Sequence, residues 1–265
     1  MLDKATQEQL RVKYNPDGSL LRNAQLRMLE IFIDFDRVCR KHDIKYWLSS
    51  GTLLGAVRHG GFIPWDDDLD VDILEDDYKR LLPILEKELG DKYFIQNRKT
   101  DKNFINNFTK IRDKHSYIHE TQHMASRYKN HGLFLDIFPL NYAIKPFLII
   151  CGSIHALCFN LSCKTNWHHM LSLFLTNFMY LCIIPFFKLA TRLKKSNIVY
   201  HTYGSHFYIG RKISYLFPLT EIEFEGHKFY APGNYDGYLS DMFGDYMKLP
   251  SAPEFHIKEN YISFI

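Results

Sequence analysis

The chain has 265 residues, 46% hydrophobic and 24% charged, with 33 Lys and Arg against 30 Asp and Glu for a formal net charge of +3. This composition excludes a disordered tail, a collagen-like fibre and a low-complexity scaffold, and the near-neutral total argues against a protein that coats nucleic acid. The total conceals an asymmetry: residues 66–77 hold eight acids and no base, whereas residues 137–220 hold no acid and eight bases, Lys145, Lys164, Lys188, Arg192, Lys194, Lys195, Arg211 and Lys212.

Along the chain, residues 1–21 carry the turn signal Asn15-Pro16-Asp17-Gly18 and read as a peripheral lead-in. From Leu21 to His42, Met28, Phe32, Phe35 and Cys39 recur at helical spacing, which predicts an amphipathic helix. Lys45–Ser49 is short, aromatic-rich and bounded by Gly51, as a strand is, and Thr52–Val57 follows as a helical turn. His59-Gly60-Gly61 reads as a loop in which His59 has a structural role. Asp68–Ile73 alternates acid and apolar residues like a strand, and Glu75–Leu89 is helical up to Gly90, with Glu75, Asp76 and Asp77 at its favoured N-terminus. Tyr93–Gln96, Asn107–Ile111 and Leu133–Phe138 are further strand candidates.

Two apolar stretches, Pro146–Cys163 and Leu171–Phe187, lie in the acid-free region. Each is interrupted by polar residues (His155 and Asn160; Thr176 and Asn177) and does not exceed the roughly 20 residues a spanning helix needs. Two readings stand side by side: a helix pair lying on an anionic membrane surface, and a buried helical hairpin. A transmembrane hairpin ranks behind both. A strand-like Glu221–Tyr230, a turn at Pro232-Gly233-Asn234 and a last helix holding Tyr238–Phe243 complete the chain. The element order predicts an α+β fold with one mixed sheet, divided into the lead-in 1–21, a catalytic core 22–142, a basic apolar helical insert 143–218, and a C-terminal strand and helix 219–265 that complete the core. The N-terminus lacks the pattern of a secretory signal, and the five cysteines (Cys39, Cys151, Cys158, Cys163, Cys182) are odd in number, so free thiols and a cytoplasmic location are expected.

The chemistry concentrates around the acids. On a strand, Asp66, Asp68, Asp70 and Asp72 would share one face, and ionised carboxylates so crowded need a counter-charge. A hard divalent ion, Mg²⁺ or Mn²⁺, meets that need and accepts substrate phosphates in its shell. Ser50-Gly51-Thr52, between a strand and a helix, lets backbone N–H groups approach a phosphate. The two together describe a site for phosphoryl transfer. Asp136, the one acid in Leu133–Phe138, is the expected carboxylate from another strand, with a turn cap before Pro139 as the weaker reading.

At these residues the sequence resembles the LicD family. The resemblance runs from Tyr46 to Val71 through Ser50-Gly51-Thr52-Leu53-Leu54-Gly55, Arg58-His59-Gly60-Gly61 and Pro64-Trp65-Asp66-Asp67-Asp68-Leu69-Asp70. Lys110-Ile111-Arg112-Asp113, Asp136-Ile137-Phe138-Pro139-Leu140 and Phe243-Gly244-Asp245-Tyr246-Met247 support it, with Phe243 standing where the family often has Tyr. It implies a nucleotidyltransferase-like core that moves phosphocholine from CDP-choline to a glycan, or, as in fukutin-type relatives, ribitol phosphate or a similar group from a CDP-linked donor. It implies as acceptor a cell-surface glycan, such as lipopolysaccharide or teichoic acid, or a lipid-linked precursor. Carried over, Ser50, Gly51 and Thr52 face the donor phosphates, and Asp68 and Asp70 hold Mg²⁺, with Asp66 and Asp136 as further ligands. Asp136 or Asp66 serves as base. Arg58, Lys110 and Arg112 are phosphate clamps or surface ion-pair partners, and Asp72, Asp245 and Tyr246 line the site or only pack. No nucleic-acid partner is expected, and the inner face of the membrane is the expected place of work. A competing reading of another class is a non-catalytic membrane-surface binding protein on the same scaffold.

Overall fold

The computed structural model describes residues 1–119, 125–192, 196–205, 207–251 and 262–264; Lys194 and Lys195 of the basic stretch lie outside them. Two helices open the chain, α1 (Lys4–Tyr14) and α2 (Leu20–Lys41). The predicted stripe of α2 is fully buried, Met28, Phe32, Phe35 and Cys39 together with Ile31 and Val38, and it forms the floor of the main core. Burying such a stripe stabilises by roughly 1.5–3 kcal/mol for each large apolar side chain. The sharp turn between α1 and α2 ties the start of the chain to the core. Asn15, buried, donates to Gln25 Oε1 (2.6 Å), and Tyr14 packs edge-on against Trp65 with ring centroids 5.3 Å apart. Helix α1 itself buries no residue, and the turn after it, through Tyr14 and Asn15, braces the acidic loop.

The sheet follows from β1 (Tyr46–Leu48), β2 (Asp70–Leu74), β3 (Tyr93–Gln96), β4 (Thr109–Asp113) and β6 (Phe134–Tyr142), in spatial order β1-β2-β6-β4-β3. β2 and β6 run parallel and the other pairs are antiparallel, so the sheet is mixed, as expected. Helices α3 (Ser50–His59) and α4 (Glu75–Leu89) connect β1 to β2 and β2 to β3. Short β5 (Ser116–Ile118) pairs with the C-terminal strand β11 (Ile262–Phe264). β6 continues through Pro139 for four residues beyond the predicted end. Asp136 thus lies inside a strand and caps no turn.

After β6 come α5 (Lys145–Ser162), α6 (Asn166–Phe178), one π turn (Met179–Ile183) and α7 (Ile184–Arg192). Thr176 and Asn177 do not interrupt this rod, and Asn166–Thr191 forms a continuous 26-residue helical run. That run and α5 are each long and apolar enough to cross a membrane by length and composition. The chain then re-enters the sheet. β7 (Ile198–His201) pairs with the far half of β6, and β8 (Arg211–Lys212) pairs with β7. Ile198–His201 and Arg211–Lys212, placed by the sequence in the helical insert, are sheet strands, and Val199 and His201 alternate into the interior. A short helix α8 (Ile213–Leu216) leads to the hairpin β9 (Thr220–Phe224) and β10 (His227–Ala231), where a single long strand had been expected. Glu225-Gly226, both at positive φ, make its tight turn. The last helix, α9 (Tyr235–Phe243), is capped by the Asn234 side chain.

Candidate active site

The site is built on one row of the sheet. Register sets Asp70 of β2 beside Asp136 of β6, and Asp136 beside Lys110 of β4. Lys110 Nζ donates to both carboxylate oxygens of Asp136, at 2.7 Å each. The acidic loop before β2 adds Asp66, Asp67 and Asp68, whose ligand oxygens lie within 4.8 Å of one another. Gln25 secures this loop by donating to the backbone carbonyls of Asp66 (2.8 Å) and Ile63 (3.3 Å). β2 begins only at Asp70, so Asp66 and Asp68 reach the site from a loop and not by strand alternation.

Across from the acids stands the start of α3. Ser49 makes no side-chain cap bond, and Leu53 is the first residue whose amide enters the helical ladder, donating to Ser49 O (3.0 Å). The amides of Ser50, Gly51 and Thr52 therefore open the helix, where the dipole favours an anion. Ser50 is held in the left-handed region (φ 47°), a strained conformation for a residue with a side chain. Gly51 is required by close approach: a Cβ there would stand 3.0 Å from Asp66 Oδ2. Thr52 is buried, and its Oγ1 accepts the Asp70 backbone N–H (2.8 Å), so its hydroxyl positions Asp70 and does not face the cleft.

These groups border a cleft of about 540 Å³. Its acidic wall is Asp66, Asp68 and Asp70. Ser50, Gly51, Leu54 and Arg58 line the α3 side, and Arg211, Lys248, Asp245 and Tyr246 close the other. Trp65, Phe207, Ile209, Met242 and Phe243 give it an apolar, aromatic rim. Asp136 and Lys110 stand behind Asp70 and do not line the cleft.

The acids raise one another's pKa. Burial, then repulsion from Asp68 and Asp67, pushes Asp66 up to about 8. Burial, then Asp68, Asp136 and Asp66, holds Asp70 well above the carboxylate range against the pull of Lys110. Burial raises Asp136 as well, although Lys110 opposes it. A cluster of carboxylate oxygens carrying this much mutual repulsion, open on one side to a cleft, suits a hard divalent cation.

The expected clamps Arg58 and Arg112 already have partners within the protein. Arg58 is buried, and its guanidinium donates to the backbone carbonyls of Tyr246 (2.9 Å) and Lys248 (3.2 Å) and to His59 Nε2 (3.0 Å). It fastens the C-terminal segment beside the cleft that it also lines. Arg112, sealed from solvent, donates to Gln96 Oε1 (2.6 Å) and Gly132 O (3.0 Å). It is two residues from Lys110 on β4, on the same strand face as expected, and it does not line the cleft. His59 packs against Trp65 and is structural, as expected.

Asp72, expected to line the site or only to pack, is buried behind it and does not line the cleft. Its Oδ1 lies 3.0 Å from His201 Nε2, and its Oδ2 lies 3.4 Å from Tyr238 Oη and 3.8 Å from Arg211 Nε. Burial opposes its ionisation, but His201 and Arg211 overcome this and hold its pKa below the ordinary value. This buried network supports Arg211 behind the cleft. Sequence reading passed over Arg211, Asp67 and the rim residue Phe207. Arg211 and Phe207 were hidden because they lie far along the chain, beyond the helices. Asp67 was the neighbour of residues already chosen, and only strand alternation, which does not apply to this loop, had set it apart.

A mixed sheet carrying clustered carboxylates, opposite an open helix start across a cleft, defines an enzyme of the nucleotidyltransferase-fold phosphotransferase class. The family model described as "LicD/FKTN/FKRP, nucleotidyltransferase domain" matches residues 43–147, the span from β1 to the start of α5 that holds the acids and α3. Over 91% of the chain and 98% of the relative, it is 31% identical to the lipopolysaccharide cholinephosphotransferase LicD of Haemophilus influenzae. An uncharacterised protein of Rickettsia prowazekii is 34% identical over 43% of this chain and 45% of its own. The human ribitol 5-phosphate transferase FKRP is 56% identical over a short segment, 13% of this chain and 7% of that protein. The chain belongs to the LicD family.

Proposed function

We propose that the protein transfers phosphocholine, or a similar phosphorylated alcohol, from a CDP-linked donor to a hydroxyl of a cell-surface glycan or its lipid-linked precursor, releasing CMP. The observation that carries this reading is the convergence of Asp66, Asp68 and Asp70 on a cleft faced by the first amides of α3. Similarity to a cholinephosphotransferase over nearly its whole length supports the phosphocholine group. The aromatic rim of Trp65, Phe207 and Phe243 fits a quaternary ammonium, which aromatic faces attract.

Asp68 and Asp70, with Asp66 or Asp67, would hold Mg²⁺ or Mn²⁺, which when bound offsets the charge of the donor diphosphate. The chain's own groups do the rest. The amides of Ser50 and Gly51 orient a donor phosphate, and Arg211 and Lys248 add positive charge on the opposite wall. The acceptor oxygen attacks the phosphorus that bears the alcohol, the bond from that phosphorus to the CMP oxygen breaks, and the hydroxyl proton passes to a carboxylate. Both oxygens of Asp136 are engaged by Lys110, which leaves Asp66 the better placed base.

The test is incubation of the purified protein with Mg²⁺, an acceptor glycan, and in parallel CDP-choline, CDP-ribitol and CDP-glycerol, measuring CMP release and the mass gained by the glycan. Transfer from CDP-choline supports the proposal. Preference for a CDP-alditol makes the protein an alditol-phosphate transferase, and release of diphosphate from CTP and a phosphorylated alcohol makes it a nucleotidyltransferase. No turnover and no donor binding with any of them would favour a non-catalytic role.

A further inference from the structure

The helices after β6 have their polarity reversed for a water-facing pair. In α6 the buried residues are His169, Ser172 and Thr176. Ser172 Oγ donates to Cys158 O (2.6 Å) of α5, and the His169 ring meets Ser162 Oγ (2.7 Å) of α5 and Asn103 Oδ1 (3.0 Å). The opposite face of the rod carries Trp167, Met170, Phe174, Phe178 and Leu181, all exposed. Ile150 and Leu157 continue this surface on α5. A helix in water buries its apolar stripe and exposes its polar one. Small and polar residues between helices with large apolar ones outside is the arrangement of helices surrounded by lipid, and an apolar patch of this extent on a protein marks a binding surface.

Charge specifies the lipid. No acid occurs from residue 137 to 220, and exposed Lys145 and Lys164 stand at the two ends of α5. Contacts along the rod decide how it lies. Arg127 donates to Ser162 O (3.0 Å) and Asn166 Oδ1 (3.2 Å) at the tip of the hairpin. Arg98 donates to Asn177 Oδ1 (2.7 Å) close to the root and sits 3.6 Å over the Tyr180 ring. At the root Leu148, Met179 and Tyr203 share a core. One flank is fastened to the catalytic core from root to tip, so crossing a bilayer would require tearing all three attachments.

We infer that α5, α6 and α7 form a monotopic lipid-binding face that beds its outer side into an anionic bilayer without crossing it. The segment after β7 links that face to the active site. Tyr208 packs so closely on Gly152 of α5 that a Cβ there would lie 2.0 Å from its hydroxyl, while Phe207 and Ile209 on either side line the mouth of the cleft. The bound enzyme would hold its cleft next to the headgroup layer. This contact goes beyond the donor and acceptor assignment and is measured without either.

The protein carries its own reporter. Of three tryptophans, Trp47 and Trp65 are buried and Trp167 is 74% exposed. The full chain is titrated with vesicles of phosphatidylcholine alone and of phosphatidylcholine mixed with phosphatidylglycerol, following tryptophan emission and co-sedimentation. The expected result is a blue shift and co-sedimentation on the mixed vesicles, at least about tenfold weaker on the neutral ones. Trp167→Phe removes the shift but retains co-sedimentation. Phe174→Glu, on an exposed position, lowers binding by about tenfold or more with an unchanged circular dichroism spectrum. Lys145→Glu and Lys164→Glu each weaken binding to the mixed vesicles by roughly fivefold or more. The inference is overturned if wild-type protein binds neither vesicle, if Phe174→Glu binds as well as wild type, or if light scattering shows a dimer that Phe174→Glu converts to a non-binding monomer without any lipid contact in the wild type.

Discussion

At the scale of single residues, the carboxylate cluster trades stability for function. Asp66, Asp68 and Asp70 repel one another in a partly closed site. Asp68→Asn and Asp70→Asn should each lower CMP release by roughly two to three orders of magnitude or more. In a chelating buffer the same variants should melt a few degrees higher than wild type, since relief of about 1 kcal/mol shifts Tm by roughly 2–4 °C in a chain this long. A calorimetric scan reads the second effect, and a lower Tm for both variants would contradict the repulsion. Lys110 has the opposite role. Its side chain and that of Asp136 are 12% and 10% exposed, so Lys110→Met leaves a nearly buried carboxylate without its cation. A loss of about 3 kcal/mol is expected in urea unfolding, with a second change, Asp136→Asn, recovering a substantial part of it. The pairing of Asp70 with Asp136 was legible in outline because each is an acid flanked by apolar residues on a predicted strand. The partners of Arg58 and Arg112 were not legible, because a charge in a motif does not reveal what it meets: one holds carbonyls of residues nearly 190 positions away.

At the scale of elements, the turn from α3 into the acidic loop is closely packed backbone against backbone. A Cβ on Gly55 would lie 2.4 Å from the backbone oxygen of Gly61, so neither side can yield. Gly55→Ala should destabilise the protein by roughly 1–3 kcal/mol and weaken donor binding, because α3 must move away from the loop that carries Asp66. Thermal shift with and without CDP-choline separates the two effects. Nearby His59 adds a pH dependence. Burial first, and the charge of Arg58 second, bring its pKa down to about 4. The unfolded chain takes up this proton near pH 6.5, the folded one only near pH 4. Stability is therefore complete above about 6.5 and falls as the pH drops toward 4, by up to about 3 kcal/mol. His59→Gln should flatten that slope in denaturation curves at pH 4.5 and 7. Helices α2 and α4 were readable almost to the residue from period and caps. The β9–β10 hairpin was not, since Glu225 at positive φ lacks the Asn-Gly or Gly-Gly signature of a tight turn.

At the scale of the whole molecule, contacts distant in sequence complete the site. Arg22 of α2 bridges Glu225 of the β9–β10 turn (2.7 Å), and Glu225 in turn accepts the Phe62 amide of the acidic loop (3.1 Å). Arg22→Met should lower donor affinity by a few-fold while leaving the sheet intact, a split that isothermal titration and circular dichroism together would reveal. Such links cannot be seen in local patterns, since no periodicity connects residue 22 to residue 225. Five strands of the mixed sheet, β1 to β4 and β6, were legible, because each announced itself by apolar alternation or by a run between turn residues. The assignment of 198–212 to the insert failed because its strands are brief and lie in a segment dominated by helices.

The helical rod leaves the sheet at Tyr142 and the chain returns at Val199, and these two residues face each other in the β6–β7 pairing. Topologically, everything from 145 to 192 is the loop of a β-hairpin. A loop closed at its base imposes no length on what it encloses, and lengthening one costs little in closure entropy. The carboxylate row, by its place on the other half of β6, is insulated from changes there. Exchanging the helical cassette for one of another length should therefore leave the carboxylate row in place.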